Sequence, residues 1–366
     1  MRVLVVNAGS SSLKLSLIGE DDTTLAEREV AAPKSTVDPA DLRAALDGGL
    51  READVVGHRI VHGGERFRAA VRIDPEVEAE LRGLVALAPL HQPKSLDALD
   101  AVSRALPGVP AVACFDTAFH ATLPPAARTY ALPAKWRERW GLRRYGFHGL
   151  SHAWIARRVP QLLERDPTAL RIVSCHLGAG ASLCAITGGR SVDTTMGFTP
   201  LEGLVMATRS GSVDPGLLTW LLEQTGLTER EMAQALEHES GLLGLAGSAD
   251  MREVLDRAGA DDESARLAVD VYLHRLAAEI AAMTAALGGL DALAFTGGVG
   301  ENSAEIRARA VERVAFLGAE IDERANAAAS LDSEIGSSAA PVRVLAIRAR
   351  EDLEIAGQAR DVMGRA

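Results

Sequence analysis

Cysteine is scarce: Cys114, Cys175 and Cys184 are the only three, an odd number with no C-x-x-C pair. That excludes a disulfide framework and suits a reducing cytoplasm. Basic excess is missing too. A formal charge of −11 argues against nucleic acid or an anionic membrane surface as the main partner, because both reward a basic face. Any anionic ligand must therefore meet positive charge locally. The longest nearly apolar stretch, Leu276 to Leu290, contains Glu279, is too short to span a bilayer and reads as a core helix. Where a signal peptide needs an apolar core, the N-terminus has Asn7, three serines and Lys14. No GxxxxGK[ST] occurs, which removes the P-loop class. Lysine is rare as well, four against 35 arginines, so the placement of Lys14 is informative.

What is present is enough for two full cores: 366 residues, 47% apolar and 24% charged. The chain is organised around its first residues. Val3 to Val6 is an apolar run expected of a strand buried on both faces, and Leu13, Leu15 and Leu17 alternate with Lys14 and Ser16 as in a strand with one polar face. Between them Ala8, Gly9, Ser10, Ser11 and Ser12 let backbone N–H groups and hydroxyls approach an anion, so the hairpin reads as a phosphate cradle. The plan recurs in Arg171 to Ile186, with Gly178-Ala179-Gly180 at the turn. Matching Ser12-Leu13 to Ser182-Leu183 sets the copies 170 residues apart, the separation of a duplicated domain. Two such hairpins facing one cleft would hold a nucleotide's phosphate chain from both sides.

Along the chain, Glu20 to Gly49 reads as a peripheral connection with a short helix ended by Gly48-Gly49. Strands are expected from Asp54 into the Gly63-Gly64 turn, over 110–115 and over 342–347. Helices are expected over 74–87 with Pro75 in the first turn, 151–158, 215–227, 230–237, 262–287 and from about Glu351. Asp193 to Gly203 reads as loop, and Leu293 to Asn302 as a strand, a glycine loop and then a helix. The expected domains are 1–120 with 353–366, and 121–352.

Arg59 ends a strand just before paired glycines, and Arg209 lies in a small-residue loop before Pro215. Two such arginines suit a transferring phosphoryl group, whose charged oxygens the planar guanidinium meets bidentately. His148 and His152 are spaced as a zinc pair, but Gly149 is expected to break a helix there and no third ligand is near in sequence. The alternatives are an oxyanion donor or a core histidine. His91 is open in the same way. Gly297, Gly298 and Gly300 do not spell G-x-G-x-x-G, though glycines after a strand suit close approach of a purine or ribose. Asp250 in Ser248-Ala249-Asp250 could meet ribose hydroxyls.

Val6-Asn7-Ala-Gly-Ser-Ser-Ser12-Leu-Lys14, His58-Arg59-Ile-Val61-His62-Gly-Gly-Glu65, Phe115-Asp116-Thr-Ala-Phe-His120, Gly146-Phe147-His148-Gly149, Met196 to Gly203 and Phe295 to Asn302, in that order, resemble the acetate kinase family. The resemblance covers nearly the whole chain. It implies an α/β fold of two actin-like (ribonuclease H-like) domains with the active-site cleft between them. It also implies transfer of the ATP γ-phosphate to acetate, giving acetyl phosphate and ADP, in a cytoplasmic homodimer. Mg²⁺, or Mn²⁺ in its place, would be held through Asn7 and Glu351. Arg59 would meet the acyl substrate, Asp116 would serve as acid/base or site organiser, and His148 and Arg209 would stabilise the transition state. ATP would touch Lys14, Ser174, Cys175, His176, Leu177 and Gly178, then Ser248, Ala249 and Asp250, then Thr296, Gly297, Gly298, Val299 and Gly300, with Ser10 and Ser12 of the first hairpin. Val61, Leu90, Phe147 and Pro200, with His91, would line the methyl end.

The reaction is consistent with these residue types. A carboxylate nucleophile is already ionised at neutral pH, so the obstacle is bringing two anions together, and orienting Arg59 or a metal-bound water is the preferred role for Asp116. Three positions depart from the family pattern: Ala179 for asparagine, Ser212 for aspartate, and Ala349-Arg350 for Thr-Asn. They bear on nucleotide preference and turnover more than on reaction class. The alternatives are a propionate or butyrate kinase of the same fold, and a silent nucleotide-binding switch, which would need no acyl-side arginine.

Overall fold

The computed structural model describes residues 1–9, 12–31, 38–89, 91–330 and 332–365, so Ser10 and Leu90 of the expected site lie outside the described residues. The chain divides into two compact units, Met1–Ala121 with Phe147–Trp154 and Arg350–Ala366, and Thr122–Gly146 with Ile155–Ala349. The segment Phe147–Trp154, which the sequence places with the second domain, thus packs with the first.

The first unit holds a sheet of β1 (Val3–Ala8), β2 (Ser12–Ile18), β3 (Thr24–Ala31), β4 (Val55–Ile60), β5 (Val71–Arg72) and β6 (Ala111–Phe115), in the order β3-β2-β1-β4-β6-β5. The second unit holds β7 (Arg171–Leu177), β8 (Ala181–Thr187), β9 (Arg190–Thr194), β10 (Ala292–Thr296), β11 (Ser333–Glu334) and β12 (Arg343–Ala346), in the order β11-β12-β10-β7-β8-β9. Each sheet is an antiparallel three-strand meander followed by two parallel strands and a short antiparallel edge. The duplication read from the hairpins therefore extends to the whole sheet. The copies differ at the turn: pairing resumes from Ala8 to Leu13 in the first and from Leu177 to Ala181 in the second, one residue sooner.

β1 is buried on both faces, as its unbroken apolar run requires. Leu4 and Val6 meet Leu13, Leu15, Ala98 and Val102 on one side; Val3 and Val5 meet Ile355, Ala356 and Ala359 of the helix Glu351–Gly364 on the other. Gly57 lets that helix sit directly on β4, since a Cβ there would lie 2.6 Å from Ile355 Cγ2. Ser16 is buried, so the polar face expected along β2 is confined to Lys14.

The structure departs from the sequence reading at several places, three of which bear on the two hairpins and the glycine segment. β3 runs through the supposed peripheral connection; it is an edge strand with only Val30 buried, and a strand with one neighbour needs little apolar patterning. β9 occupies the first residues of the supposed 193–203 loop. The glycines after β10 form no loop, because the helix Gly297–Asn302 starts at once, with Gly297 at φ 78° packed against the Leu177 backbone. Among the described residues no helix is long and apolar enough to cross a membrane.

Candidate active site

In the first unit, parallel pairing sets Val6 beside His58 and Ile60 beside Phe115. Asn7, Arg59 and Asp116 therefore emerge together at the carboxyl ends of β1, β4 and β6, where α/β sheets open to ligands. Glu351 joins them from the first turn of its helix. The four side chains form one hydrogen-bonded line. Arg59 donates to both Asp116 oxygens, from Nε at 3.1 Å and Nη2 at 2.6 Å, and from Nη1 to Asn7 Oδ1 at 3.2 Å. Asn7 Nδ2 donates to Glu351 Oε2 at 3.1 Å. Burial opposes the Arg59 charge, yet Asp116 and then Glu351 outweigh it and hold the guanidinium above its ordinary pKa. The Arg59 side chain is 17% exposed and that of Asp116 only 2%, so the arginine is the member of the pair that a ligand can reach. One amide and one carboxylate supply the hard oxygens that Mg²⁺ prefers, so Asn7 and Glu351 fit that ion.

His148 is half-buried at φ 56°, a left-handed conformation uncommon outside glycine, and is followed by a glycine the backbone demands. Gly149 N donates to Asp116 O at 2.8 Å, and a Cβ at residue 149 would stand 2.1 Å from that oxygen. Gly149 does not break a helix, as the sequence suggested; it begins the one running to Leu163. His152 lies in the first turn, buried edge-to-face against His120 with ring centroids 5.7 Å apart. Among the described residues no group of three or more His, Cys, Asp or Glu is arranged to hold a metal. Val61 and Phe147 are buried, and the Phe147 ring meets His62 at 5.6 Å. His91 is half-buried just before the helix Gln92–Ala105, whose Gln92 bonds the His62 backbone in both directions. Pro200 is buried in the second unit. Ser12 bonds Glu29, and Lys14 is exposed on β2.

The second unit contains a pocket of about 810 Å³. Gly178 and Ala179 from the β7–β8 turn and Gly298 and Val299 after β10 form part of its wall, joined by Ala249 and Asp250. These are the three segments expected to meet a nucleotide. Ser174, Cys175, Leu177, Ser248, Thr296, Gly297 and Gly300 are buried and do not line the pocket, and His176 is half-buried beside them. Asp250 caps the helix Met251–Gly259 and binds the Arg252 guanidinium; those bonds hold its carboxyl low, at about 2. Its carboxylate keeps lone pairs beyond those the Arg252 bonds use, so it can accept a ribose hydroxyl as well. Sequence reasoning missed Leu242, Met251, Leu255, Tyr272 and Asn302. Only the helical spacing of Met251 and Leu255 could have signalled them, and it gives no ligand.

Arg209 is held from behind. Glu237 Oε2 accepts from its Nε at 2.9 Å, and Pro200 O accepts from Nη1 at 3.3 Å. Glu237 sits in a π-helical turn, Ala235–Glu239, that also binds Thr208 and Ser210. Gly241 closes the cradle: a Cβ there would lie 2.2 Å from Met206 O. Sequence offered no signal for Glu237, an exposed-looking residue in an acidic helix. Ser212, one of the three departures, binds Gly203 through its side chain and its backbone N–H.

The model of the acetokinase family matches residues 40–357. The acetate kinase of Synechococcus sp. (strain JA-2-3B'a(2-13)) is 45% identical over 99% of both chains, and that of Leifsonia xyli subsp. xyli 47% over 98% of both. Among solved structures, Porphyromonas gingivalis acetate kinase is 35% identical with a TM-score of 0.90, and a propionate kinase from Francisella tularensis is 34% identical with a TM-score of 0.91. Each match covers 99% of both chains.

Proposed function

The chain belongs to the acetokinase family, and on that premise we propose that it catalyses reversible transfer of the ATP γ-phosphoryl group to acetate, giving acetyl phosphate and ADP. The observation that carries the reading is the line Asp116–Arg59–Asn7–Glu351. It places a preorganised guanidinium beside a hard-oxygen pair, as a reaction between two anions needs.

The first unit takes the acyl substrate. Arg59, held by Asp116, binds its carboxylate, and Val61, His91 and Phe147 bound the methyl group. Acetate needs no general base, being ionised already, so Asp116 positions Arg59 rather than removing a proton. Asn7 and Glu351 hold Mg²⁺, with Mn²⁺ a substitute; the ion neutralises phosphate charge when bound. The second unit takes ATP in its pocket, with the β7–β8 turn toward the phosphates and Gly297 to Gly300 toward the purine or ribose. His148 and Arg209 meet the charge on the transferring group. The alternative, propionate as the acceptor, draws support from the likeness to the Francisella enzyme.

The protein acts in the cytoplasm, where Cys114, Cys175 and Cys184 stay as buried free thiols. It works as a homodimer. The helix Pro215–Thr225 has no buried residue although Leu217, Trp220 and Leu221 are apolar, which marks a face for a second copy. Incubation with ATP, Mg²⁺, acetate and hydroxylamine tests the activity: hydroxamate must form, and its absence with every short-chain acid would refute the reading. Light scattering at twice the chain mass tests the dimer.

A further inference from the structure

Arg209 lies in a loop whose backbone is held without help from its side chain. Ser240 N donates to Thr208 O at 3.0 Å, Ser210 N to Leu236 O at 3.0 Å, Leu242 N to Met206 O at 2.9 Å and Ala207 N to Ala179 O at 3.1 Å. Thr208 Oγ1 adds a bond to Glu237 O at 2.9 Å.

The Glu237 carboxylate makes a separate bond, its Oε2 accepting from Arg209 Nε at 2.9 Å. The pair is largely withdrawn from solvent, the Arg209 side chain 19% exposed and that of Glu237 11%. An ion pair so placed adds little net stability, because stripping water from both charges offsets their attraction. What it fixes is geometry. An arginine side chain turns about several bonds and loses that freedom when it meets a ligand. A carboxylate on Nε, together with Pro200 O on Nη1 at 3.3 Å, sets the plane of the guanidinium in advance. The π-helical turn Ala235–Glu239 brings the carboxylate there. The backbone oxygens of Leu236 and Glu237 take Ser210 and Thr208, and the Glu237 side chain takes Arg209 between them. Three consecutive residues of the arginine loop are thus held by two consecutive residues of the turn.

We infer that Glu237 is a positioning residue for phosphoryl transfer: acting through Arg209, its carboxylate sets the direction in which the guanidinium meets the transferring group. The inference rests on the reading of Arg209 as an arginine that stabilises that group.

Reach and charge are separated by two substitutions. Glu237→Gln keeps an oxygen acceptor at the same distance and loses the charge; Glu237→Asp keeps the charge and draws the carboxylate back by about 1.5 Å, one carbon–carbon bond. In the hydroxamate assay kcat should fall about tenfold or more in Glu237→Asp and by less in Glu237→Gln, with the KM values for ATP and acetate within about twofold of wild type in both. In an Arg209→Ala background Glu237→Asp should change kcat by less than about twofold, since nothing is left to position. Circular dichroism and a thermal melt show whether each variant is folded; if Glu237→Asp is not, Glu237→Ala in the two backgrounds gives the same comparison. A kcat in Glu237→Asp at or above that of Glu237→Gln, a loss carried by KM, or an equal loss with and without Arg209 would overturn the inference and leave the pair a brace of the loop. Wild-type kcat in Arg209→Ala would instead refute the reading of Arg209 in the reaction.

Discussion

Asp116 grips Arg59 with both carboxylate oxygens while lying almost wholly out of reach of solvent. With both oxygens on the guanidinium, the carboxylate fixes the direction in which Arg59 points.

Arg59→Ala and Arg209→Ala should each lose roughly 3 kcal/mol or more of transition-state stabilisation, the scale of one oxyanion donor. Asp116→Asn, which can accept only one of the two bonds, should lose less and should raise the KM for acetate. Hydroxamate kinetics with circular dichroism as the folding control decide it. Wild-type turnover in either alanine variant removes that arginine from the reaction.

Glu351→Gln keeps the bond to Asn7 but lowers the charge of the hard-oxygen pair, so half-maximal activity should need several-fold more Mg²⁺. An Mg²⁺ titration that overlays wild type would transfer the role to Asp352, which binds Arg350.

Val61→Ala removes two methyl groups from a buried wall. One methylene in such a pocket is worth about 1–3 kcal/mol of discrimination, so kcat/KM for propionate and butyrate should rise roughly tenfold relative to acetate. An unchanged acid preference would show that another wall sets the size limit.

His58, in β4, is 1% exposed with no hydrogen-bond partner for either ring nitrogen among the described residues, and burial pushes its pKa from 6.5 down to about 3. As pH falls below 6.5 the unfolded chain takes up this proton and the folded one does not. The stability is complete above pH 6.5 and is lost toward pH 3, by up to about 1.4 kcal/mol per pH unit. Urea midpoints at pH 7 and pH 5 should therefore fall further in wild type than in His58→Leu. Parallel changes in the two proteins would mean that His58 protonates readily in the fold.

Sequence disclosed the elements whose physics is local. The apolar run of β1, the alternation in β2 and their repeat in β7 and β8 led to two sheets of matching topology. Asp74 and Asp262 cap helices where acidic residues precede good helix formers. β3 stayed hidden because an edge strand is asked for little. Gly149 was misread because a glycine that breaks an isolated helix can start one when only hydrogen fits against Asp116 O. Glu237 was out of reach for another reason. Its partner, Arg209, is 28 residues away, and no periodicity reports such a pairing.

The bond between Asn7 and Glu351 joins residues 344 positions apart, and the helix that follows Glu351 covers one face of β1. During synthesis, at about 5–20 residues per second, Asn7 must wait tens of seconds for its partner. Through that interval Val3 and Val5 lack Ile355, Ala356 and Ala359 against them, and the nascent first unit presents a bare apolar sheet face to the ribosome surface and its chaperones. The chain therefore cannot complete this site before that helix emerges, and any product ending before residue 351 lacks both the partner of Asn7 and the cover of Val3 and Val5.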